Sequence, residues 1–338
     1  MDQLTQGVQN LVQQCAEVKD GDEVLILNEF GKVDEEIAKL IAETVKATGA
    51  TYHVMWGESV ERSAKALPKI LIGAILSSAK IISNFSLNRA LLDEYTRGKA
   101  IVQINNVART VNLMASNHAR YHWGMVRAIY SRLEEIFSVA RKWQITSPAG
   151  TEIGGEIGSG SEVADAYFAQ EAEASRFIRV FPGEVYTPVG SKGADGKIVV
   201  EYINMRDSQP WEETVTLTIR GNKVTKIEGG SRAQQFEKTV EANVKAHGDK
   251  ATLLDSWHGG MNPKARIPTT DNMSLQGATS GAGLMHFHLG SQKEPISAGI
   301  LFHTVEVDGR KIYQGGKLLI LDDPKIREAE QSYGVSQK

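Results

Sequence analysis

"DEVLILNEFGKVDEEIAKLIAETVKATGATYHVMWG", residues 22–57, runs through two hydrophobic periods. Its opening, "DEVLILNEF", is a short apolar run rich in β-formers. The following "VDEEIAKLIAETVKATGA" carries its apolar residues at helical spacing and stops at Gly49. "TYHVMWG" then returns to strand character. Strand, helix and strand in this order make a βαβ unit, because parallel strands need a crossover connection. The theme continues with a helix and strand in "ILIGAILSSAKIISNFS" (70–86) and a further strand in "KAIVQINN" (99–106). "HARYHWGMVRAIYSRLEEIFSVARKW" (118–143) reads as one long helix closing this lobe.

From about Gly150 the texture changes. "GKIVVEYIN", "ETVTLTIRGNKVTKIEGG" and "AGILFHTVEVDGRKIYQGGKLLIL" alternate apolar and polar residues between glycine turns, with "RGNK" as a hairpin turn. The fold expected is α/β: an N-terminal βαβ lobe with a parallel sheet (1–150) and a β-rich C-terminal metal-binding lobe (151–338). The boundary is placed in the glycine- and serine-rich "TSPAGTEIGGEIGSGSE" (146–162), which also reads as an ordered strand and turn. That stretch lacks the lysine and the strand–helix context of a phosphate loop.

A formal charge of -3 gives no global attraction for nucleic acid or an anionic membrane. No stretch approaches the roughly 20 apolar residues of a membrane span, and the start shows no export signal. The single cysteine, Cys15, excludes an intrachain disulfide framework. These features place the protein in the cytoplasm, with a small-molecule partner and a homo-oligomeric state expected.

The chemistry concentrates in the second half. Four of the eight histidines, His258, His286, His288 and His303, fall close together in strand-like or turn contexts. Each alone reads equally as a hydrogen-bonded core imidazole; together they point to a metal, since imidazole is the commonest protein metal ligand. His286 and His288, in "GLMHFHLGSQ" (283–292), share one face of a strand. Same-face neighbours lie roughly 6.5–7 Å apart along a strand, against about 3 Å between two ligands of one ion. Glu184 in "FPGEVYTPVG" is the nearest candidate carboxylate, though it also reads as a surface residue beside a turn. Asp255, Glu306 and Asp308 are further carboxylates, Asp308 belonging to an Asp-Gly turn. Trp257, Trp211 and Tyr186 are candidates to line a pocket for a flat substrate, or core residues. His118 and His122 fall at i, i+4, a spacing that can bind metal but lacks the accompanying catalytic glutamate. Arg120, His122 and Arg127 offer instead cationic contacts to an anionic substrate, or a solvated polar helix face.

"FPGEVYTP", "GGMNPKA", "HFHLG" and "FHTVEVDGRKIYQGGKLL", with "VKDGDEVLIL" and "TGATYHVMW" before them, occur in the order found in the thermophilic metalloaminopeptidases of the aminopeptidase T type. The chain resembles that family over most of its length. The same fold family includes the 2,5-dihydroxypyridine 5,6-dioxygenases, which use a single non-haem iron. By this resemblance Glu184, His286 and His303 match metal-binding positions. Two carboxylate positions of the aminopeptidases fall on Ser256 and Val305, and their catalytic tyrosine falls near Lys293. The dioxygenases have a histidine at the Ser256 position, and His258, two residues on, could serve from the same strand face.

The resemblance therefore implies one divalent ion (Fe, Zn or Mn) held by Glu184, His258, His286 and His303, with His288 as outer partner or substitute. Losing the bridging carboxylates disfavours a two-metal centre and general peptidase activity. Three readings follow. The one ranked first is hydrolysis of a small amide-type or heteroaromatic substrate, with Glu184 or Asp255 as base, His288 facing the substrate and Lys293 stabilising an oxyanion. The alternatives are an Fe(II) ring-cleaving dioxygenase and a metal-free binding protein.

Overall fold

A computed structural model describes residues 2–60, 66–85, 95, 99–158, 178–183, 185–186, 188–204, 207, 209–265, 280–290 and 296–335. The chain forms two compact units, 1–124 with 171–184, and 125–170 with 185–338. Residues 171–184 thus belong to the first unit although they lie beyond residue 150.

The first unit is built on strands β1 (Glu23–Glu29), β2 (Thr51–Gly57), β3 (Lys80–Asn84) and β4 (Val102–Asn106). In chain order β5 (Lys142–Thr146) and β6 (Glu152–Ile157) intervene before β7 (Ile178–Phe181). The sheet order is β2-β1-β3-β4-β7, and every pair is parallel. This is the arrangement the βαβ pattern predicts. Helix Glu35–Ala47 buries Ile37, Ile41 and Val45, and its first turn carries Glu35 and Glu36, which suit the positive end of the helix dipole. β1 is buried along six of its seven residues, as a central parallel strand must be, whereas the edge strand β2 is open to solvent over Thr51–Val54.

Near the carboxyl ends of three strands a row of asparagines crosses this sheet. Asn84 Nδ2 donates to Asn28 Oδ1 at 2.7 Å, and Asn106 Nδ2 donates to Asn84 Oδ1 at 2.7 Å. The Ala108 N–H on Asn106 Oδ1 (2.9 Å) fixes the orientation of the whole row. All three amides are fully buried. Asn84→Ala strips both neighbours of a partner at once and is expected to destabilise the chain by about 2–4 kcal/mol, since each orphaned buried group costs roughly 1–3 kcal/mol. Urea unfolding measures this; a loss below about 0.5 kcal/mol would show the row to be dispensable.

The long helix expected over 118–143 is interrupted. Residues Asn117–Arg120 form one turn, Tyr121 is extended, and a helix resumes at Trp123–Val139. The cause is distant in sequence. Asn10 Nδ2 donates to the carbonyls of Ala119 (2.8 Å) and Tyr121 (2.7 Å), while its Oδ1 accepts the Trp123 N–H (2.9 Å). One buried amide satisfies the backbone groups that the break exposes. His118 and His122 therefore do not share a helix face. His118 is buried, and burial pushes its pKa down to about 3.

The second unit is one large, mostly antiparallel sheet. Beyond β5 and β6 it contains β8 (Val189–Val200), β9 (Tyr202–Ile203), β10 (Val215–Arg220), β11 (Lys223–Glu228), β12 (Leu254–Gly259), β13 (Leu284–Leu289), β14 (Ile296–Leu301), β15 (Thr304–Val307), β16 (Arg310–Gln314) and β17 (Lys317–Leu318). The order is β17-β16-β15-β5-β6-β8-β12-β13-β14-β9, with β10 joining β8 and pairing with β11. Part of the glycine-rich 146–162 stretch is therefore strand β6. The "RGNK" hairpin is present, with Gly221 at φ 52° and Asn222 at φ 69°, the two positive angles that a tight hairpin turn needs. Among the described residues no helix is long and apolar enough to cross a membrane.

Candidate metal centre

The centre lies on β12 and β13, which pair antiparallel with His258 opposite His286 and Ser256 opposite His288. Alternation sends Ser256, His258, His286 and His288 to one face of the sheet and Trp257 and Phe287 to the other. On that other face Trp257 is fully buried, its ring centroid 5.6 Å from those of Phe137 and Trp143 and 6.1 Å from that of Tyr186. This corrects the pocket-lining reading of Trp257 and Tyr186: they are core, and they anchor the strand behind the histidines. Trp211 lies in a separate polar depression of about 480 Å³, with Arg232 over its ring at 5.0 Å.

On the histidine face three rings close on one another. His258 Nε2 is 2.7 Å from His286 Nε2, which is 3.1 Å from His288 Nε2. These separations match the roughly 3 Å between two ligand atoms sharing an ion at about 2.1 Å from each. His258 and His286 are buried and His288 half-buried. Burial drives the pKa values of His258 and His286 well below the usual imidazole range, with the neighbouring rings adding to the effect, and brings His288 to about 4. The three are neutral imidazoles at pH 7, the protonation state that binds metal.

His258 is also oriented from behind. Its Nδ1 lies 2.9 Å from the Tyr186 carbonyl, which can only accept, so Nδ1 carries the proton and Nε2 presents its lone pair. A hydrogen-bonded far nitrogen of this kind is the usual support of a metal-ligating histidine. Three converging neutral donors form a set that fits a divalent transition metal.

The surroundings include residues the sequence reading passed over. Asn204 Nδ2 is 3.4 Å from His286 Nε2. Gly299 stands opposite His286 on β14, and a Cβ there would come within 2.3 Å of the Tyr202 ring, so glycine makes room for that ring. Tyr202 Oη is held on the Met285 carbonyl at 3.0 Å. An isolated glycine inside the strand "ISAGIL" was the available signal for such a close approach.

His303 is not brought to the other three. It follows Phe302, whose φ of 52° turns the chain, and its ring packs on Tyr313 with centroids 4.8 Å apart. Its Cε1 would lie 3.5 Å from a Cβ on Gly259, the residue after His258, which places His303 on the opposite face of β12. Among the described residues neither of its ring nitrogens has a hydrogen-bond partner, and burial lowers its pKa to about 3. Asp255 is the extra residue of a β-bulge between Leu254 and Ser256; it is buried but not part of the histidine group. Asp308 is a turn residue, its carboxylate accepting the Arg141 and Lys142 N–H groups at 3.0 and 2.9 Å. Glu306 lines a separate cavity of about 950 Å³ on the sheet. Glu184 and Lys293 lie outside the described residues.

Fold and site together define a chain with a parallel α/β unit and a β-rich unit that carries a buried histidine centre able to hold a metal. The sequence model of the 2,5-dihydroxypyridine 5,6-dioxygenase (NicX) family matches residues 108–292, more than half of the chain. The protein belongs to that family. Its fold is shared with the 2,5-dihydroxypyridine dioxygenase of Pseudomonas putida KT2440 at a TM-score of 0.68 and 14% identity, covering 96% of this chain and 98% of that one. It is also shared with wild-type AmpT from Thermus thermophilus, at a TM-score of 0.55 and 10% identity over 94% and 99% of the two chains. No curated protein matches the sequence. Ranking hydrolysis ahead of oxygen chemistry was therefore wrong: the family match is to a dioxygenase.

Proposed function

We propose that this protein is a mononuclear Fe(II) dioxygenase that opens a small hydroxylated N-heteroaromatic ring, with His258, His286 and His288 holding the ion. The observation that carries the reading is the convergence of three neutral Nε2 atoms in a member of the dihydroxypyridine dioxygenase family. Bound Fe(II) would supply the one-electron chemistry that lets O2 react with a closed-shell aromatic ring.

The protein's own part is positioning and charge. The three imidazoles bring no negative charge and one carboxylate, Glu184, would offset only part of a divalent ion's charge, so the centre favours a substrate that presents an ionised ring oxygen. Asn204, beside His286, offers an amide donor to a ring substituent, and the buried Tyr202 ring screens that side from water. Glu184 keeps its proposed place as a carboxylate ligand on sequence grounds alone.

The test is oxygen uptake by protein loaded anaerobically with Fe(II) and given 2,5-dihydroxypyridine. Uptake of one O2 per ring consumed is expected, with no turnover under argon. Equal consumption under argon, or no uptake by iron-loaded protein with any dihydroxypyridine isomer, would overturn the reading.

A further inference from the structure

His286 and His288 have their Cα atoms two residues apart on one strand, yet their Nε2 atoms are 3.1 Å apart. Something must draw the His288 ring along the strand. Among the described residues the side chain on its far nitrogen is Ser256, directly opposite on β12, with Oγ 3.0 Å from His288 Nδ1. Ser256 is fully buried.

The role of the ring gives the direction of that contact. As a ligand His288 presents a bare Nε2 to the centre it shares with His258 and His286, so its one proton sits on Nδ1 and Ser256 Oγ is the acceptor. His258 is held in the same tautomer, its Nδ1 donating to the Tyr186 carbonyl.

We infer that Ser256 is a positioning residue: its hydroxyl accepts the His288 Nδ1–H, fixes that tautomer and swings Nε2 into the metal centre. The inference rests on the metal reading for the direction of this contact; the contact itself and its cross-strand register do not depend on it.

Two measurements test it. In metal-free protein at neutral pH, long-range nitrogen–proton NMR correlations of His288 report which nitrogen is protonated. The wild type should show Nδ1–H, Ser256→Ala should shift the ring toward the Nε2–H form, and Ser256→Thr should restore Nδ1–H. Zn(II) titrated against a chromophoric chelator should bind Ser256→Ala about 10–100-fold more weakly than wild type, the usual cost of losing an outer partner, with Thr restoring affinity. An Nε2–H tautomer in the wild type overturns the proposal whether or not the alanine variant folds. So does an alanine variant with unchanged tautomer and Zn(II) affinity within about twofold of wild type. If the tautomer responds as stated but wild-type protein binds no metal, the positioning role stands and the metal reading falls.

Discussion

His286→Ala is expected to empty the metal centre. Its Nε2 is the middle atom of the three, 2.7 Å from His258 and 3.1 Å from His288, so its removal takes away the donor both others are arranged around. The affinity loss should exceed the about 10–100-fold expected when only an outer partner is lost. His288→Ala leaves the 2.7 Å pair intact and should cost less metal while still impairing turnover. Elemental analysis after dialysis compares the two variants. Full metal content in His286→Ala would show that these histidines belong to the core, and equal loss in both would make "HFH" a two-ligand clamp.

The halves of this fold were unequally legible. Local periodicity placed β1 to β4 and the helix between β1 and β2, because each element's apolar pattern matches the face it buries. The pairing of β7 with β4 could not be read, since a parallel partner is chosen by tertiary packing and carries no turn signal. The break at Tyr121 was hidden for the same reason: its cause is Asn10, more than a hundred residues earlier. At the site, alternation correctly put His286 and His288 on one face. What the spacing argument lacked was the cross-strand contact from Ser256, beside the bulge at Asp255, that pulls one ring toward the other. His303 was drawn into the ligand set by resemblance, and the turn at Phe302 sends it to the opposite face of β12. The ranking of hydrolysis failed differently. Ser256 and Val305 in place of carboxylates pointed to a single ion, but a single ion serves hydrolysis and oxygen chemistry alike, so these residues did not order the two readings.

Metal-free protein is expected to lose its fold steeply as the pH drops below about 6. His118, His258, His286 and His303 are all buried, and burial lowers each pKa in the folded chain, to about 3 for His118 and His303. In the unfolded chain each titrates near 6.5. Below that value the unfolded state binds protons that the folded state refuses, so stability present at neutral pH is lost as the pH falls toward the folded values. Each such group removes about 1.4 kcal/mol per pH unit, and four together about 5 kcal/mol per unit. Against a total of roughly 5–15 kcal/mol, one to three units suffice for unfolding. Three of the four sit in the second unit, which should unfold first. Half-buried His288 adds to the slope but counts for less. Urea unfolding at a series of pH values between 7 and 5 measures the effect, and His118→Gln should flatten the slope by one proton. A stability constant within about 1 kcal/mol over that range would mean that the imidazoles take up protons in the folded state, and that the site is wetter than its burial implies.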